Sequence, residues 1–435
     1  MIRQAAYAGQ FYPGNKAQLR TMIESFVDKT AVKEEVVGLL APHAGYIYSG
    51  PVVGAVLSRV KLTDTVIILG PNHTGRGVPF SLASEGTWAT PLGKVEIDSE
   101  LAEKLLRNSK YLQKDEEAHE QEHSLEVEIP FLQYFKPEIK IVPIILASGD
   151  GKVLKEIGLE IAQTIAELKK DVVIFASSDM NHYESQKVAQ KKDRMAIDAV
   201  LNLDGPELLK RLRQQDISMC GYAPAFVMIT AARELGAGKP ELVKYMTSGD
   251  TTGEYNQVVG YAGIIVRKLS PLVKLAKDSV ESYVKGRKVY QPNKITPEMK
   301  DQAGVFVCLK KRGDLRGCIG TFEPTQDNIA QEIVANAISS SSRDPRFEAV
   351  RAEELTDLEY TVDVLTTPEE ISGPEQLDPK RYGVIVEAGW RRGLLLPDLE
   401  GVDTVEYQLD IARQKGGIEP GEKVKLYRFE VKRYT

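Results

Sequence analysis

Five histidines stand in this chain of 435 residues, and all of them lie between His43 and His182. Three follow strongly apolar runs: VVGLL-APHAGY carries His43, TVIILG-PNHTG carries His73 and VVIFASSDMNHY carries His182. His119 and His123 complete the set within AHEQEHSLEVE. Imidazole is the commonest metal ligand and the side chain that titrates nearest neutrality. A titratable residue repeated just past buried strands therefore predicts one assembled site, with His43, His73 and His182 as metal ligands. Such a donor set suits iron, copper or zinc, and ligand type alone does not choose among them.

The flanking residues sharpen this reading. Pro42 and Gly45 hold His43 on a tight loop, and Pro71-Asn72 with Thr74-Gly75 repeat the arrangement around His73. His182 follows Ser177-Ser178-Asp179-Met180-Asn181, a polar cluster able to orient a ring through its second nitrogen, as ligating histidines require. Cys220 in ISMCGYAPA is a candidate fourth ligand, with a buried structural cysteine at a helix start as the alternative. His119 to His123 spell H-x-x-E-H, the inverted zincin pattern, which needs both histidines on one helical face. Ser124 reads as an N-cap for a helix beginning at Leu125, so both histidines precede that helix and the peptidase reading falls away. His123 is left as an acid/base beside a metal. His119 reads as a gate residue or an exposed one.

These residues need a scaffold. Apolar strand candidates at 36–40, 65–69, 140–146, 172–176 and 258–266 alternate with helical patterns such as 99–107, 152–169 and 187–201. That order predicts an α/β layer architecture around a largely parallel sheet, whose ligands collect at the carboxyl ends of the strands. The pattern changes near Arg267–Pro271. A helix with apolar residues at 272, 276, 280 and 284 and a glycine stop at Gly286 opens a second unit. It continues as strand GVFVCLKK, turn RGDLRGCIG, helix 327–339, strands LEYTVDVLT, GVIVEA and GLLLP, helix 402–415 and strand VKLYRFEV, an α+β order. ISSSSRDPRF at 338–347 reads as one short loop. The expected domains are 1–268 and 271–435.

Composition narrows the partners. A net charge of −6 argues against nucleic acid, because phosphate binding needs a basic face. No apolar run approaches the ~18 residues of a spanning helix, so no membrane is expected. The start MIRQAAYAGQFYPG lacks a basic then apolar leader, which predicts no export signal. The three cysteines, Cys220, Cys308 and Cys318, form no CxxC and cannot all pair. No disulfide framework is expected, a reducing cytoplasmic compartment is, and each thiol is left as a ligand, a reactive group or a small buried side chain.

AGQFYPG (8–14), LAPHAGYIYSGPV (40–52), LGPNHTG (69–75), WATPLGKVEID (88–98), EHSLEVEIPFLQ (122–133), SSDMNHY (177–183) and GYAGIIV (260–266) together resemble the Memo family. The family is similar in fold to class III extradiol dioxygenases of the LigB type, which open catechol rings at a non-haem iron. The resemblance implies a metal pocket of His43, His73, His182 and Cys220, with His123 and Asp179 as catalytic residues. Extradiol enzymes bind iron with two histidines and a carboxylate, whereas here Asp179, Glu184 and Glu254 are only candidates for that carboxylate. Copper with a redox role is also associated with the Memo family. Three readings follow: an extradiol-type oxygenase acting on a small phenolic molecule, a redox or non-catalytic copper or iron protein, and an adaptor for phosphorylated or peptide ligands.

LRGCIG (315–320), RDPRF (343–347), ELTDLEYTVDVLTTPEEI (354–371) and GLLLPDL (393–399) resemble the AMMECR family. Memo and AMMECR proteins are commonly encoded beside a radical-SAM protein, which implies such an enzyme as a partner. In LRGCIG, Gly317 and Gly320 permit a tight turn, and Arg316 is placed to lower the Cys318 pKa or hold an anion. The alternative is a β-turn with Cys318 as a small buried residue. Arg343, Asp344 and Arg346 are candidates for the same cleft, with Asp344-Pro345 as a simple turn the alternative.

Overall fold

The computed structural model describes residues 2–434 apart from Ser148, Asn293, Lys294, Arg312 and Glu400. The chain folds as two compact units, one reaching Lys268 and the other running from Leu269.

Four strands form the centre of unit 1: β1 (Val36–Ala41), β2 (Thr65–Pro71), β3 (Lys140–Leu146) and β4 (Val172–Ser177). They pair in parallel in the order β3-β2-β4-β1. Their near-continuous Val, Ile and Leu content is what a parallel strand needs when helices cover both of its faces. β1, β2 and β4 are buried along their whole length. Three antiparallel strands extend the sheet beyond β1: β5 (His182–Glu184), β6 (Ala237–Thr247) and β7 (Val258–Lys268). β7 pairs with β1 on one side and takes both β5 and β6 as further partners. β6 went unread in the sequence because AGKPELVKYMT carries Pro240 and no clean alternation, and its pairing is interrupted by irregular register.

The parallel strands converge their carboxyl ends on one edge. His43 stands two residues past β1, His73 two residues past β2, and Ser177 closes β4. His182 differs, since it lies within β5, an edge strand paired to β7. Gly221, immediately after Cys220, caps the helix Tyr222–Glu234. A Cβ on Gly221 would meet the Ser177 carbonyl oxygen at 2.3 Å, so glycine there lets Cys220 approach the end of β4.

Two expectations for the 119–130 segment change. Glu122, not Ser124, caps the short helix His123–Glu126, its side chain accepting from Ser124 N. A carboxylate does this as well as a hydroxyl because it faces the helix's unpaired N–H groups. His119 is not exposed. It ends up 1% exposed, with Nε2 on Ser81 Oγ at 2.9 Å and its ring edge-on to Trp88.

Unit 2 is built on two four-stranded antiparallel sheets. The sequence VKLYRFEV divides between them, Lys425–Phe429 in one and Val431–Tyr434 in the other. The helix expected to stop at Gly286 ends there, with Arg287 taking the left-handed φ of +54°. Among the described residues of RGDLRGCIG the turn is confined to Gly313, at φ +87°. Asp314–Gly320 is a strand, while Arg312 lies outside the described residues. Gly317 serves close approach, since a Cβ there would meet the Ser340 carbonyl oxygen at 2.2 Å. Nor is 338–347 all loop, because the helix Ile329–Ser342 runs through its serines. Cys308 and Cys318 oppose each other directly on neighbouring strands and are joined as a disulfide, so Cys318 is not the free thiol expected. Among the described residues no helix is long and apolar enough to cross a membrane.

Candidate metal centre

His43, His73 and His123 each offer a nitrogen, and the three atoms lie within 4.8 Å of one another. The His73 and His123 rings stack with centroids 4.5 Å apart, and His43 meets both edge-on at 5.1 and 5.3 Å. His43 is buried, His123 half-buried and His73 open to solvent, so the cluster has a closed side and an accessible side.

Each ring is held from behind. His43 Nδ1 lies 2.8 Å from Ser177 Oγ. That hydroxyl is also 2.7 Å from the Ser124 carbonyl oxygen and 3.1 Å from Glu128 Oε1. A hydroxyl has one proton, and the Ser124 carbonyl can only accept it. Ser177 therefore accepts from His43 Nδ1–H, which leaves the His43 Nε2 lone pair free. Glu128 is fully buried, Oε2 has no hydrogen-bond partner, and burial pushes its carboxyl well above the usual range. A neutral acid fits that place better than a carboxylate, because an unpaired buried charge is far costlier than an unpaired carbonyl.

Glu122 performs the same service for His73. Its Oε1 lies 2.8 Å from His73 Nδ1, and its Oε2 accepts His73 N–H at 2.6 Å. Burial alone would raise the Glu122 pKa, but the hydrogen bond and charge of His73, with Ser124 N–H, bring it down to about 2. Phe11 and Tyr7 pack on the His123 ring at 4.8 and 5.5 Å. Their segment is pinned by Glu126, which accepts from Tyr12 Oη, Ala6 N–H, Tyr7 N–H and Arg3.

Burial, helped by the neighbouring histidines, holds His43 well below its ordinary pKa, and burial brings His123 down to about 4 against the opposing charge of Glu122. Both are neutral near pH 7, the form that donates a lone pair to a metal. Cys220 Sγ lies 3.2 Å from His43 Nε2, and burial, then Asp179, push its thiol pKa up. Asp179 accepts His43 N–H at 2.9 Å, and burial raises its pKa to about 7. His182 is anchored separately, its N–H donating to Ser218 Oγ and its Nδ1 lying 2.8 Å from Ser218 O.

The nitrogens that converge are thus those of His43, His73 and His123, where sequence reading had His43, His73, His182 and Cys220 as ligands and His123 as acid/base. Cys220 and Asp179 stand beside His43. Glu122 and Glu128 are site residues that the sequence reading does not single out, and Ser177 orients His43 rather than His182. The signal for Glu122 is a carboxylate next to a histidine in EHSLEVE. In unit 2, Asp344 and Arg346 do meet Cys318: Cys318 N–H donates to Asp344, and Arg346 donates to Asp344 and Cys318 O. Arg316 is not available for an anion, being paired with Glu354 and bonded to the Glu348 carbonyl. Arg343 is exposed.

This geometry accompanies a sequence relationship. Residues 3–265 match the family described as Memo-like protein. The chain belongs to that family. Residues 273–434 match the AMMECR1 family, so a Memo-like unit is fused to an AMMECR1 unit. A MEMO1 family protein from Methanococcoides burtonii is 47% identical over 268 residues, spanning 61% of this chain and all of that protein. One from Aquifex aeolicus is 45% identical over 268 residues, spanning 61% of this chain and 98% of its own length. A solved structure of an uncharacterised protein from Pyrococcus horikoshii is 36% identical, covering 37% of this chain and 88% of that one, at a TM-score of 0.35.

Proposed function

We propose that the Memo-like unit is a metal-dependent oxidoreductase of extradiol type, binding a small phenolic substrate beside a non-haem iron. The observation that carries this is the convergence of three ring nitrogens within 4.8 Å, two of them on rings kept neutral by burial. Imidazole nitrogens with Nδ1 held from behind fit a borderline divalent metal. His43, His73 and His123 would hold it, and when bound it supplies Lewis-acid and redox chemistry. Asp179, buried against the His43 backbone, is the group placed to hold the substrate's phenolic proton. Phe11 and Tyr7 keep water from one face of His123.

Anaerobic loading with Fe(II) followed by oxygen uptake with catechol tests the reading. Catechol-dependent uptake lost in His73→Ala supports it, whereas iron-loaded protein that neither binds catechol nor consumes oxygen contradicts it.

A second reading, a redox copper or iron protein with a thiolate ligand, draws on Cys220 Sγ at 3.2 Å from His43 Nε2. The zinc alternative remains compatible with three imidazoles. A radical-SAM protein stays part of the proposal as a pathway partner of the fusion, to be tested by co-purification from cells expressing both.

A further inference from the structure

Six non-glycine residues among those described have positive φ. Lys169 and Arg287 cap helices, Leu203 and Asp216 follow helix ends, and Asp398 sits in a bend. Those are ordinary places for a left-handed residue. Tyr183, at φ +58°, is different because it lies inside the strand β5. A bulky side chain in this region is strained.

The register shows what the strain achieves. His182 opposes Val259 and Glu184 opposes Val258, so Tyr183 is the extra residue of a β-bulge. In a regular strand, residues 182 and 183 would project to opposite faces. Here their ring centroids are 5.8 Å apart, so the bulge has turned Tyr183 to the side of His182. The chain on both sides is clamped: Asn181 N–H donates to Asp193, Asn181 Nδ2 to Glu184, and His182 N–H to Ser218. Nothing in the fold's core benefits, because Tyr183 is 74% exposed. Ser218, whose carbonyl holds the His182 ring at 2.8 Å, stands two residues before Cys220, whose Sγ lies 3.2 Å from His43 Nε2, so the His182–Tyr183 pair borders the cluster on the Cys220 side. Strain retained at an exposed aromatic, without burial in return, is of the kind that clusters at active sites and ligand clamps.

We infer that Tyr183 is a specificity-determining wall of the ligand site, its ring stacking on a planar aromatic ligand bound beside the imidazole cluster. This rests on the phenolic reading given above and adds the residue that selects for a flat ring.

Two variants of the full chain test it, Tyr183→Asn, which tolerates left-handed φ but has no ring, and Tyr183→Phe, which keeps the ring. Zinc-loaded protein is titrated with catechol by calorimetry, and thermal unfolding is followed in parallel. The expected result for Tyr183→Asn is a Tm higher by about 2–4 °C with catechol affinity lower by about three- to tenfold. Tyr183→Phe should match the parent in affinity. If Tyr183→Asn binds catechol as the parent does, the wall is overturned while the phenolic reading stands. A lower Tm in Tyr183→Asn also overturns it, since the ring would then serve the fold. If the parent itself binds no catechol, the phenolic reading fails and takes the inference with it.

Discussion

Cys220 Sγ lies 3.2 Å from His43 Nε2, the nitrogen left free once Nδ1 is held by Ser177. The thiol, its pKa raised by burial, carries its proton near pH 7 and is positioned to donate it to that lone pair. A metal at His43 must therefore displace this hydrogen bond. If three imidazoles hold the metal, Cys220→Ala should keep one equivalent with affinity within about tenfold of the parent. A loss beyond about 100-fold, together with disappearance of a proton released on binding, would move the assignment to a thiolate ligand. Calorimetry in two buffers of different ionisation enthalpy measures both quantities.

Glu128 reaches His43 only through Ser177, and its role is legible from proton accounting. As a neutral acid it should be replaceable by the isosteric amide. Glu128→Gln is expected to change unfolding free energy by no more than about 1 kcal/mol in urea titrations at pH 7. A loss above about 2 kcal/mol would mean that a carboxylate, with a partner still to be found, sits there.

Acid should weaken unit 1 through His119. Burial, then the nearby Arg3 charge, lowers its folded pKa to about 3, against an unfolded value near 6.5. The folded unit binds fewer protons than the unfolded chain between these values, so stability rises with pH across the window. The contribution of neutral His119 is complete above about pH 6.5 and is lost as pH falls through about 3. Urea unfolding of metal-free protein at pH 7, 5 and 4 should show a shallower decline in His119→Gln than in the parent. Parallel declines would exclude His119 as a source.

Reduction should act on unit 2. The Cys308–Cys318 bond closes a loop with a sequence separation of 10, for which the chain-entropy estimate is about 3 kcal/mol. Dithiothreitol is expected to lower the AMMECR1 unit's unfolding midpoint in the parent and to leave Cys308→Ser/Cys318→Ser unmoved. An unchanged parent midpoint would show that the pair contributes no stability in solution.

The scaffold of unit 1 was readable because its strands are buried on both faces. Runs such as VVGLLA and TVIILGP have no alternation to mislead and end where a polar residue appears. β6 was not readable, since its half-buried residues and Pro240 lack a period. The histidines were legible as a group, but their roles were not. Which imidazoles meet depends on the placement of His123 by Glu122 and the Phe11 segment, from 112 residues away in sequence, and no spacing rule carries that. LRGCIG was misread because glycine suits both a tight turn and a close approach, and only the Ser340 carbonyl beside Gly317 tells them apart.

In the proposed site a single metal is bound by His43, His73 and His123. Anaerobic calorimetric titration of the metal-free full chain with Fe(II) tests it directly, with His43→Ala, His73→Ala, His123→Ala and His182→Ala alongside. The parent should bind one equivalent, with affinity lower by more than about 100-fold in the first three variants and a smaller change in His182→Ala. Parent-like binding in His123→Ala with loss in His182→Ala would contradict it.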